Sequence, residues 1–217
     1  MSEGYSAFKQ GRNTSLTRRQ SKTTSLAGGY LLEKKMKKGN LIILAGSKRA
    51  GKTTVSNYLQ KLGYVTLNFD YLLDAYDNSL KEHTKEMEFS FFNNLVNYYY
   101  NNTINYGQNI VFDIYDFSPS KLKKLDKFSD IYLFILGYPK ASIEEIEDCL
   151  ITYGEEFEWN KQLNQDEIET KAKEIYNYNQ ILQKECEQEK IILFDVGTKN
   201  ERQQNLQKLV EIITKLG

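Results

Sequence analysis

A chain of 217 residues with 29 basic and 29 acidic side chains has zero formal net charge, and its length suits one substantial α/β domain plus a further segment. Two cysteines and one histidine exclude a disulfide framework and a cysteine/histidine metal cluster. No apolar run approaches the ~20 residues of a membrane span, so the expectation is a cytoplasmic protein with no membrane partner.

Residues 1–39 come first and differ from the rest. They hold nine basic residues against Glu3 and Glu33, a charge of +7, and the remaining 20 basic and 27 acidic residues give −7. A bulk basic surface for nucleic acid is therefore not expected in the main body. Ser, Thr and Gly with little apolar periodicity mark 1–39 as a flexible basic segment. A solvated tail, a leader ahead of Met36 and an organellar transit peptide all fit that composition. The folded domain is expected over 40–217.

From Leu41 the pattern alternates between strands and helices. Leu41–Ala45 is a continuous apolar run, as in a strand covered on both faces. Residues 46–53 then read Gly46-Ser47-Lys48-Arg49-Ala50-Gly51-Lys52-Thr53, the GxxxxGK[ST] phosphate-binding loop. The order strand, glycine-rich turn, helix is what that chemistry needs. Glycines let backbone N–H groups wrap a phosphate, and a helix N-terminus adds partial positive charge. The nucleotide-binding set is thus Gly46, Ser47, Lys48, Arg49, Ala50, Gly51, Lys52, Thr53 and Thr54. Lys52 would reach the β/γ-phosphates, and the Thr53 hydroxyl would hold Mg²⁺.

A helix over Thr53–Leu62 places Val55, Tyr58, Leu59 and Leu62 on one face, with Gly63 as its stop. Tyr64–Phe69 reads as the second strand and Glu86–Tyr106 as a long helix, closed by Gly107, with Phe89, Phe92, Val96 and Tyr99 inward. Asn109–Asp113 is the third strand, and a short helix follows Pro119. Ile131–Leu136 and Ile191–Asp195 are the fourth and fifth strands. Helices are expected between them over Ser142–Tyr153 and Gln165–Glu189, and a last one over Glu201–Leu216. Five such strands alternating with helices imply a parallel sheet with helices on both faces, the three-layer α/β arrangement. Ligands of these sheets bind at the C-terminal strand ends.

Those ends supply the other candidates. Asp113 closes the third strand, where it either orients Mg²⁺ or caps the next turn. Asp70 follows the second strand. There it either accepts the proton of an acceptor hydroxyl and binds the acceptor, or caps a helix starting near Tyr71. Asp74, Asp116 and Lys140 are further candidates for substrate binding, Asp116 and Lys140 sitting equally well in ordinary turns.

On the loop GSKRAGKT, the acid in LNFD, the strand-borne acid in VFD and the segment YNYNQILQKECEQEKIILFDV, the chain resembles the nucleoside-monophosphate-kinase-like P-loop small-molecule kinases over Leu41–Leu216. The resemblance implies a P-loop NTPase fold with strand order 2-3-1-4-5. It also implies ATP and Mg²⁺ as cofactors, and phosphoryl transfer to a small-molecule acceptor, a nucleotide or nucleoside. One departure stands out. Such kinases carry arginines on a lid before the long helix, whereas Tyr138–Lys190 contains none. Some thymidylate kinases, which this chain resembles in having an arginine two residues before the Gly-Lys of the loop, pair it with an arginine-poor lid. By that likeness Arg49 either stabilises the transferred phosphoryl or contacts product phosphate alone, and the catalytic set would be Lys52, Arg49 and Asp70.

A nucleotide-binding switch or regulatory subunit with little transfer is the alternative, and the arginine-free lid fits it. A GTPase is set aside, because no Asp-x-x-Gly follows the third strand and Asn-Lys-x-Asp is absent.

Overall fold

β1 (Leu41–Gly46) is buried at every position because it lies in the middle of the sheet. The computed structural model describes residues 38–77, 84–102, 104–115, 117–152, 163–198 and 201–216. The basic segment expected over 1–39 lies, up to residue 37, outside the described residues, as does Asp116. β2 (Val65–Asn68), β3 (Ile110–Asp113), β4 (Tyr132–Gly137) and β5 (Leu193–Asp195) join β1 in one sheet of order β2-β3-β1-β4-β5. Every pairing is parallel.

Alternation along β1 separates two cores. Ile42 and Leu44 face α1 (Lys52–Lys61), α5 (Ile143–Thr152) and α7 (Arg202–Thr214), meeting Val55, Leu59, Ile146, Leu209 and Ile213. Leu41, Ile43 and Ala45 face the other way. They pack in a cluster with Phe92 and Val96 of α3 (Lys85–Asn102) and Leu122 of α4 (Pro119–Leu122). α6 (Gln165–Glu189) serves both layers, giving Ala172 and Ile175 to the first and Leu182 and Cys186 to the second. It starts at a reciprocal cap: Asn164 Oδ1 accepts from the Glu167 amide at 3.0 Å, and Glu167 Oε2 from the Asn164 amide at 2.8 Å.

The departures from expectation are local. The inward stripe of α1 is Lys52, Val55, Ser56 and Leu59, while Tyr58 and Leu62 are half exposed. The helix is rotated so that Lys52 turns back under the loop. α3 ends at Asn102, and a 3-10 turn, Ile104–Tyr106, completes the run to Gly107. Ile191 precedes β5 because its amide donates to the Cys186 carbonyl, finishing the last turn of α6. α2 (Phe69–Asp77) begins directly after β2, and it is Asn68, not Asp70, whose Oδ1 accepts from the Tyr71 amide at 3.3 Å. Asp70 is left in the first turn, where a carboxylate is favoured by the helix dipole.

Candidate functional site

Register brings the strand ends together. Asn68 is level with Asp113, Asp113 with Leu44, Gly46 with Leu136, and Gly137 with Asp195. The phosphate loop leaves the central strand at Gly46, which has φ 117°. It enters α1 at Gly51, which has φ 84° and forms no side-chain cap. No acid occupies the first turn of α1, and the carboxylate nearest its start is that of Asp113, brought there from β3.

The loop's carbonyls are turned into the protein. Lys52 Nζ donates to Gly46 O at 3.3 Å and Ser47 O at 2.9 Å. The Tyr138 hydroxyl donates to Lys48 O at 2.5 Å, and the Arg202 guanidinium donates to Arg49 O. Of the loop amides, that of Ser47 donates to Leu136 O at 2.8 Å and that of Ala50 to Ser47 O at 3.3 Å. Burial pushes the Tyr138 phenol up to about 12, so it remains a donor. Arg49 sits at φ 61°, a conformation that costs a non-glycine residue energy and that clusters at ligand-binding loops.

Behind the loop stands Asn179 of α6, fully buried. Its Nδ2 donates to Ser47 Oγ at 2.9 Å and Ile175 O at 2.7 Å, and its Oδ1 accepts from the Tyr138 amide at 2.9 Å. One side chain thus ties the loop to the end of β4 and to α6. Asn179→Leu leaves the Tyr138 amide without its partner, at a cost of about 1–3 kcal/mol, and removes the bond to Ser47 Oγ, which keeps its own donation to Lys48 O at 3.3 Å. A clear fall in the denaturant midpoint at constant slope is expected, and an unchanged midpoint would refute the clamp.

On the open side, Thr53 Oγ1 donates to Asp113 Oδ2 at 2.7 Å. Asp113 is 4% exposed and Lys52 8%. Burial raises the Asp113 pKa, opposed by Lys52 and the Thr53 hydrogen bond. Burial lowers the Lys52 pKa, opposed by the charges of Asp113 and Asp70. A hydroxyl and a carboxylate side by side at an uncapped helix N-terminus suit Mg²⁺, which takes one or two protein oxygens and keeps several waters. Thr54 is exposed on the next position of α1, and Ala50 is buried in the core. Lys48 Nζ stands 4.6 Å from the centroid of the Tyr115 ring, just beyond β3.

The remaining candidates fall on two sides. Asp70 and Asp74 lie on α2, beside β3, and Asp70 is near enough to act on Lys52. Lys140 lies on the β5 side, its ammonium 3.4 Å from Asp195. Two residues absent from the sequence reading belong to the site: Asn179 and Arg202. Their signals were a polar side chain in the inward stripe of α6, and the single arginine that follows Arg49.

No protein-family model matches the chain, and no curated protein matches it. Solved structures do. A shikimate kinase from Bacteroides thetaiotaomicron superposes with a TM-score of 0.50 at 14% identity, over 81% of this chain and 98% of that one. A shikimate kinase from Acinetobacter baumannii in complex with shikimate gives 0.48 at 18% identity, over 83% and 96%. The likeness to the first is one of fold: the chain has a P-loop kinase fold, a five-stranded parallel sheet of order 2-3-1-4-5 between helices.

Proposed function

We propose that this protein transfers the terminal phosphoryl group of ATP to a hydroxyl of a small-molecule acceptor, a nucleotide or nucleoside in class. The observation that carries the reading is the loop itself, whose carbonyls are taken by Lys52, Tyr138 and Arg202, beside a Thr53–Asp113 pair at an uncapped helix start. Lys52 binds the terminal phosphates, and Arg49 stabilises the charge on the transferring group. Asp70 accepts the acceptor's hydroxyl proton. The acceptor oxygen gains the phosphoryl as the bond to the ADP oxygen breaks. Thr53 and Asp113 would hold Mg²⁺, which neutralises charge on the phosphates when bound.

Titration calorimetry with a non-hydrolysable ATP analogue tests this directly. One site per chain, tightened by Mg²⁺, is expected. The absence of heat and of any thermal shift with Mg²⁺ and analogue together would overturn the reading.

A further inference from the structure

Arginine is absent between Arg49 and Arg202, and Arg202 is directed to the Arg49 carbonyl. Guanidinium forks are the usual partners of substrate carboxylates and phosphates, so the acceptor side has none. The segment joining β2 to β3, residues 69–109, carries six acidic residues against two lysines. The one described lysine of that segment, Lys85, is engaged within the protein, as is Lys121 of α4. Lys85 pairs with Glu88 at 2.9 Å. Lys121 donates to the Lys85 carbonyl at 3.0 Å, lies 4.0 Å from Glu86, and sits over the rings of Phe89 and Phe117.

On this side Asp70 is near enough to act on Lys52. Asp70 and Asp74 are one helical turn apart on α2, on the same face. Tyr115 lies against Lys48, with Tyr178 of α6 at 6.1 Å between ring centroids. Carboxylates accept hydrogen bonds from hydroxyls and repel anions, and aromatic faces suit the apolar side of a ring. Resting on the phosphoryl-transfer reading, we propose that the acceptor is an uncharged polyhydroxylated molecule, a nucleoside or a sugar-like ring, whose hydroxyls donate to Asp70 and Asp74. Acceptors carrying a phosphate or carboxylate are rejected.

The test uses the full chain, MgATP and matched pairs: nucleosides against their monophosphates, and neutral sugars against the corresponding sugar acids. ADP release is followed for each. The neutral member of at least one pair is expected to exceed its anionic partner by tenfold or more in kcat/KM, and Asp70→Asn with Asp74→Asn is expected to shrink that ratio. Preference for the anionic member overturns the inference. So does failure of every neutral member while MgATP still binds by calorimetry. Loss of MgATP binding itself removes the phosphoryl-transfer reading, and this inference with it.

Discussion

Lys52→Met lowers ATP turnover by about 10²–10³-fold or more, the usual consequence of deleting one preorganised charge donor, yet leaves the chain folded. The two halves of this expectation have separate causes. Turnover falls because the ammonium is held under the loop by Gly46 O and Ser47 O, where terminal phosphates would lie. The fold survives because the loop keeps its ties to Tyr138, Arg202 and Asn179, and because burying the charge of Lys52 is itself unfavourable. Its pKa is lowered by burial, so the folded state holds that proton less tightly than the unfolded state does. At neutral pH the buried ammonium therefore works against folding, and an isosteric apolar chain relieves that cost. The variant leaves Asp113 without its main compensating charge. A carboxyl whose folded pKa lies above its unfolded value stabilises at low pH, and that contribution is lost as pH rises through the folded value. The variant's melting temperature should therefore rise more steeply than the parent's as pH is lowered from neutral. Differential scanning calorimetry across pH, with an ATP-consumption assay, checks both halves. Full turnover by Lys52→Met would remove Lys52 from the reaction.

Much of the fold was legible because its punctuation is local. Leu41–Ala45 has the apolar run of a central strand, and the runs around Phe112 and Ile135 identify its neighbours. The phosphate loop was legible because it is contiguous, and the Thr53–Asp113 contact because an acid closing a strand next to the loop has one place to go. Asn179 and Arg202 were not. Their contacts reach Ser47 and Arg49 across 132 and 153 residues, and only the folded chain brings them there. Periodicity also misassigned Tyr58 and Leu62, because apolar residues on α1 compete with Lys52 and Ser56, which the loop draws inward. Lys140 follows a strand end as expected, but the sheet's order sets it on the β5 side, away from Asp70.

Gly46→Ala is expected to be the most damaging single methyl in this loop. At φ 117° an L-residue is strained, and its Cβ would stand 2.1 Å from Leu136 O and 2.7 Å from Leu136 N. Those atoms are backbone of β4 at the position paired with Gly46, so they cannot rotate away. Either the β1–β4 ladder opens or the loop leaves its path, and a cost of about 3 kcal/mol or more follows from strain and clash together. For a chain of this length that is about 6–12 °C in melting temperature. Gly51→Ala meets only the Leu206 side chain, at 2.6 Å, which can turn aside. Gly63→Ala, at φ 89° with nothing within 4 Å, carries strain alone, about 1 kcal/mol. The three variants therefore separate backbone collision from conformational strain, and calorimetric melting should rank them Gly46, Gly51, Gly63 in falling severity. If Gly46→Ala melted with Gly63→Ala, the close approach of β1 to β4 would not be what shapes the loop. A glycine there would then be serving only its dihedral angle, and the loop would owe its form to the donors at Lys52, Tyr138 and Arg202 instead.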